Sequence, residues 1–371
     1  MAATAAWCLT PNAVIAVNPE PLTALRDIAA AKGLLFGAAV RSSQLQGNPA
    51  LAATEFEFTL STQCNVLVAE VEMKWAALER VQGTLDFAGA DRIAAFARTH
   101  KQQLRGHTLV WHEGLPAWLP MAVVTGDAGE LLEQHITATC THFGAQVACW
   151  DVVNEAVQPD HGRPDGLRRS LWLDRLGPGY IDQAFHTAHA AAPNAALIYN
   201  DFGLEHDVKW QNLKRVKVLE LLEGFKKRNV PVDGLGIQAH LRAGEPFNAK
   251  KFRAFLQAVA DMGLRIHITE LDVNDRSLPQ DFAVRDAAVA DLTRRFLDVA
   301  LDEPKVEQLL TWGLSDAGSW LSKTPSQMRA DSAPQRPLPW DDRLRAKPMF
   351  DAIALALLGC RRRDAASGQT S

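Results

Sequence analysis

At about 150 residues per domain the 371-residue chain is long for a single unit, but closed α/β barrels occupy this length whole, so length alone leaves the domain count open. Apolar residues make up 47% and charged residues 22%, an ordinary globular composition that excludes a disordered or collagen-like chain. The 39 basic and 43 acidic residues leave a net charge of −4, which argues against nucleic-acid binding, and no apolar run approaches the ~18 residues of a membrane span.

Residues 1–33 read as an N-terminal lead with some helix over Pro21–Ala31. Eight short apolar runs then alternate with amphipathic stretches. Leu34–Val40 precedes a weak helical pattern near Ala53–Leu60, and Asn65–Ala69 precedes a clear one over Asp91–His100. Leu104–Val110 leads to Leu131–Phe143, Val147–Val153 to Ile181–Ala191, and Leu197–Asn200 to Leu213–Arg228. Leu235–Ala239 leads to Lys250–Met262, and Arg265–Thr269 to Asp281–Leu301. The eighth run, Leu309–Leu314, opens a long Pro-containing loop over Ser315–Arg345 before a last helix at Lys347–Leu358. Residues 359–371 form a polar tail. In Leu213–Arg228, Leu213, Val216, Leu219 or Leu221, and Phe225 share a predicted buried face, with Lys214, Lys217 and Glu220 on the wet side.

Near-continuous apolar strands alternating with helices require a buried parallel sheet. The pattern predicts an α/β fold, a single-domain (β/α)8 TIM barrel over residues 34–358 that leaves no room for a second globular domain. The rival is an open doubly wound sheet. It is weakened because no strand is followed by a Gly-rich phosphate fingerprint. Five cysteines without paired short spacing indicate neither a zinc site nor a disulfide framework. The N-terminus lacks the pattern of a signal peptide.

In such a barrel the working residues stand at the C-terminal ends of strands. Those ends supply Glu70, His107, Trp111 with His112, Asn154 with Glu155, Asn200 with Asp201, Gln238 with His240, Glu270 with Asp272, and Trp312. Glu155 and Glu270 terminate the fourth and seventh runs, so they face one another across the barrel mouth. Either acid alone is more readily an ion-paired structural group. As a pair they suit glycosidic cleavage, in which one carboxyl protonates the leaving oxygen and the other attacks or directs water. His107, His112, His240 and His267 lack any metal-binding spacing, and strict alternation points His267 away from Glu270, toward the helices. A Schiff-base aldolase is disfavoured because no Lys stands at a strand end, and a sugar-binding barrel without catalysis is disfavoured because both carboxylates are present.

The segments NVLVAEVEMKW, RGHTLVWH, WDVVNEAV, YNDF, LGIQAH, ITELDV, WGLSDAGSW and PLPWDDRLRAKPMFDAI, in this order, resemble the signature segments of the glycoside hydrolase family 10 endo-1,4-β-xylanases. The resemblance covers about Leu34 to Leu358. It implies retaining hydrolysis of internal β-1,4 bonds in xylan and xylo-oligosaccharides, with Glu155 as acid/base and Glu270 as nucleophile. It further implies that Asn154 contacts the 2-hydroxyl at the cleaved sugar, and that Gln238 and His240 orient the nucleophile and its sugar. Glu70, Lys74, His107, Trp111, Trp312 and Trp320 correspond to glycone-side contacts and platforms, and Phe202 stands where the family usually has an aglycone-side Tyr. No metal or organic cofactor is implied, and the expected state is a monomer with sugar as its partner. Export is usual in the family; without a signal peptide in this chain, a cytoplasmic location is the alternative.

Two departures fall on the glycone side. Val71 replaces the usual Asn between Glu70 and Glu72, and Gly114 replaces a usual Gln, so a weaker grip on the distal glycone sugar is expected. Of ten Trp, Trp111, Trp312 and Trp320 are assigned to the cleft and Trp75, Trp150 and Trp172 to the core. Trp7, Trp118, Trp210 and Trp340 are left unassigned.

Overall fold

The computed structural model describes residues 24–46 and 53–363. Among the described residues there are nine parallel strands: β1 (Leu35–Val40), β2 (Val66–Ala69), β3 (Gln103–Val110), β4 (Val147–Asn154), β5 (Ala196–Asp201), β6 (Gly234–Ile237), β7 (His240–Arg242), β8 (Arg265–Asn274) and β9 (Val306–Thr311). Eight of them close a barrel in the order β1-β2-β3-β4-β5-β6-β8-β9, with β9 returning to pair with β1. The short β7 lies beside the upper end of β8, where His240 is registered against Asp272.

The helices are α1 (Leu25–Ala31), α2 (Glu55–Gln63), α3 (Trp75–Leu78), α4 (Ala88–Thr99), α5 (Leu119–Thr125), α6 (Ala128–Phe143), α7 (Leu171–Leu176), α8 (Gly179–Ala191), α9 (Lys209–Arg228), α10 (Ala249–Asp261), α11 (Phe282–Ala300) and α12 (Pro348–Gly359). Their starts follow from side chains that satisfy unpaired backbone N–H groups. Thr54 and Glu57 form a reciprocal capping box on α2, Asp127 accepts from Gly129 and Glu130 on α6, and Asp281 accepts from Val284 on α11. The weak pattern at Ala53–Leu60 is therefore a capped helix. Each barrel strand is followed by at least one helix, so the C-terminal strand ends share one face. Among the described residues, no helix is long and apolar enough to cross a membrane.

The fold departs from the sequence reading at two places that bear on the site. In α9 the buried residues are Gln211, Lys214, Arg215, Val218, Leu222 and Phe225, while Leu213 and Val216 are 44% and 50% exposed. The first half of this helix turns its charged residues inward. Lys214 Nζ sits 2.6 Å from Asp201 Oδ1 at the end of β5, and Arg215 donates to the carbonyls of Leu204 and His206. His267 likewise faces the barrel interior. A register irregularity between Ile268 and Leu271 interrupts the alternation, and Nδ1 of His267 stands 2.8 Å from Arg105 Nη1, which reaches across from β3.

Candidate active site

A cleft of about 490 Å3 opens at the C-terminal face of the barrel. Glu70, Lys74, His107, Trp111, Asn154, Glu155, Phe202, Gln238, His240, Glu270, Trp312 and Trp320 all line it. These residues come from β3, β4, β7 and β8, from the loops after β2–β6, and from the segment beyond β9, so barrel closure brings them together.

Glu155 follows the last residue of β4 with a left-handed backbone, φ 60°, which is uncommon for a residue carrying a Cβ. Its N–H donates to Asn200 O at 2.8 Å, and its carbonyl accepts from Arg168 Nε at 2.6 Å. The surrounding structure thus fixes a turn that costs energy locally. Oε1 of Glu155 accepts from the amides of Asn154 at 3.2 Å and Gln238 at 3.0 Å, and Oε2 lies 3.9 Å from His112 Nδ1.

Glu270 projects from the middle of β8 and is buried. Its Oε1 accepts from Asn200 Nδ2 at 2.9 Å, and His240 Nε2 stands 3.2 Å from its Oε2. Thr269 donates to Asn200 Oδ1 at 2.8 Å and so fixes the orientation of that amide. The other ring nitrogen of His240 lies 2.8 Å from Asp272 Oδ1, and Trp320 Nε1 donates to Asp272 Oδ2 at 2.8 Å. Burial on its own would raise the Glu270 pKa, but the His240 bond and the charges of His107 and His240 outweigh it and hold the carboxyl below its ordinary value of 4.5.

The wall that carries His107, Glu70 and Lys74 is braced from below. His107 Nδ1 lies 3.0 Å from Asp151 Oδ2, and Asp151 is ion-paired with the fully buried Arg105. Glu70 is clamped by Arg41 through both carboxylate oxygens. The ammonium of Lys74 sits over the Trp111 ring at 4.8 Å and nearer its face than that of Trp312, at 5.9 Å. Val71 lines the cleft and is 43% exposed, an apolar surface beside these polar contacts. Gly114 instead lies against the Trp111 ring. With φ 61° and an added Cβ only 3.3 Å from the Trp111 ring, its position suits the smallest residue.

Sequence reasoning did not single out Asp151, Arg105 or Arg41 as supports. The signal for the first two was available: Arg105 and His107 share one face of β3, and an Asp inside the apolar run of β4 needs a buried partner. Nor did it assign Trp210, Arg242, Asn274 or Gln327, which also line the cleft. No comparable periodic signal marks these positions, which lie at the C-terminal ends of β7 and β8, in the first turn of α9 and in the long loop. Trp75, Trp150 and Trp172 are buried, and Trp172 Nε1 donates to the carbonyl of Trp111 at 3.1 Å.

A family model described as glycosyl hydrolase family 10 matches residues 24–356. The chain is 35% identical over 304 residues to a protein named exoglucanase XynX from Acetivibrio thermocellus, covering 78% of this chain and 26% of that relative. It thus spans about a quarter of that relative's length. It is 33% identical over 297 residues to endo-1,4-beta-xylanase B of Thermotoga neapolitana, covering 78% of this chain and 79% of that protein. Among solved structures, xylanase 10B from Thermotoga petrophila in complex with xylobiose aligns with a TM-score of 0.79 at 30% identity, over 91% of this chain and 98% of that one. A match of this extent, together with a closed barrel and two carboxylates in one cleft at its C-terminal face, makes the chain a member of glycosyl hydrolase family 10.

Proposed function

We propose that this protein is an endo-1,4-β-xylanase that hydrolyses internal β-1,4-xylosidic bonds of xylan and xylo-oligosaccharides with retention of anomeric configuration. The observation that carries the reading is the pair Glu155 and Glu270 in one cleft, each held by its own amides and joined through Asn154 and Asn200, whose side chains are 2.9 Å apart. Glu270, kept ionised by His240 and Asn200, suits attack on the anomeric carbon, forming a C–O bond to the carboxylate as the glycosidic bond breaks. Glu155 delivers its proton to the departing glycosidic oxygen, so the first product leaves as a neutral alcohol. Water then adds to the same carbon, Glu155 takes its proton, and the Glu270 carboxylate is released.

The remaining residues bind rather than react. His107 keeps one nitrogen on Asp151 and offers the other to the glycone sugar, while Trp111, Trp312 and Trp320 supply ring surface. Sugar is the partner, and no step of this route needs a metal or organic cofactor. The test is Glu270→Ala on an aryl β-xylobioside. Turnover falls by roughly 10^4-fold or more while xylo-oligosaccharide binding by calorimetry persists; a variant that keeps wild-type turnover excludes Glu270 as nucleophile.

A further inference from the structure

We propose that Trp210 is a second acceptor-side platform, extending the cleft beyond Phe202 by at least one sugar and thereby setting which internal bond of a long chain is cut. The proposal rests on the xylanase reading above and specifies the substrate length that the site grips.

The two rings stand side by side on one wall. Phe202 follows β5 directly, and its inner surface is backed by the buried ammonium of Lys214, 3.7 Å from the ring centroid. Trp210 lies in the first turn of α9, lines the same cleft and is only half-buried. The ring centroids are 6.3 Å apart and the planes are tilted by 53°, so one flat sugar face cannot cover both. Successive sugars of a twisting chain can, one on each ring.

The position of Trp210 is built. At Gly203, φ is 70° and a Cβ would come within 2.3 Å of the six-membered edge of the indole, so glycine provides the niche into which that edge fits. The loop between the two rings is pinned at several points. The N–H of Leu204 and that of Ala239 both donate to the buried Glu205 carboxylate, His206 N–H donates to Gln211 Oε1, and Arg242 N–H donates to His206 Nε2. Asp207 adds an ion pair with Lys251 at 2.7 Å. An aromatic ring held this firmly at a cleft wall gives up little conformational freedom on binding, which is what makes a platform effective.

The experiment compares wild type with Trp210→Ala and Trp210→Phe on xylohexaose and on an aryl β-xylobioside, which places no sugar beyond the scissile bond. The ratio of kcat/KM for xylohexaose to kcat/KM for the aryl xylobioside falls about tenfold in Trp210→Ala and is largely restored in Trp210→Phe. End-labelled xylohexaose is cut with a different bond distribution by Trp210→Ala. An unchanged ratio with an unchanged distribution overturns the proposal, including the case in which both activities fall in proportion because the variant folds poorly. A wild-type protein that turns over neither substrate overturns the xylanase reading and this proposal with it.

Discussion

His240 lies between two carboxylates, with Asp272 on Nδ1 and Glu270 on Nε2. Burial alone would keep the imidazole neutral, but the charge of Asp272, the bond to it, and then Glu270 together raise its pKa well above 6.5. The protonated ring in turn holds Glu270 ionised below its ordinary 4.5. Activity on the acid side is therefore lost only as pH falls through this lowered value. Replacing His240→Gln removes the positive charge, so the acid limb of kcat/KM moves to higher pH, readable from a pH profile on an aryl xylobioside even if the maximum also drops. Val71 presents a second test at this scale. Its exposed side chain offers no hydrogen bond where an amide would, and Val71→Asn lowers KM for short xylo-oligosaccharides by about fivefold, the equivalent of ~1 kcal/mol for one regained bond. An unchanged KM removes the link between Val71 and the distal glycone sugar.

At the scale of elements, the eight barrel strands were legible because a parallel barrel buries both faces and leaves unbroken apolar runs; seven have boundaries within three residues of those predicted, β8 runs five residues further, and the short β7 was not predicted. Two elements resisted the pattern for physical reasons. Helix α9 begins beside the cleft, so its inner face must meet Asp201 and loop carbonyls with Lys214 and Arg215, and the apolar stripe governs only from Val218 onward. Strand β8 is irregular between Ile268 and Leu271, which brings His267 and Glu270 to the same side. Most candidate site residues were legible because they sit at or just past strand ends in recognisable segments, whereas Glu270 lies mid-strand because β8 runs on to Asn274. Trp210 was not, since a half-exposed ring in a helix's first turn has no sequence signature separating platform from packing. The Lys214–Asp201 pair gives a stability prediction. Both groups are fully buried, so Lys214→Met leaves Asp201 short of a partner and costs about 3 kcal/mol by urea unfolding, while Lys214→Met with Asp201→Asn recovers much of the loss.

Across the whole molecule, the tryptophans divide between cleft and core, and the two are mechanically joined. His135, Trp75 and Trp172 stack in series, with centroids 3.8 Å and 5.5 Å apart, and Trp172 holds the backbone of Trp111 at the cleft wall. Burial keeps His135 neutral in that stack, with its pKa pushed down to about 3. Beneath the cleft, Arg105, Asp151 and His267 form a polar network inside the barrel that ends at His107, beside an apolar cluster of Ala39, Val66, Val68 and Leu310 from β1, β2 and β9. The barrel thus works as a rigid frame in which substrate-facing groups are fixed from behind before sugar arrives. We propose that this frame delivers double displacement through Glu270 with Glu155 as acid and base. Anomeric proton NMR during xylohexaose hydrolysis distinguishes the routes: the new reducing ends appear first as the β-anomer and only later mutarotate, whereas initial appearance of the α-anomer excludes double displacement.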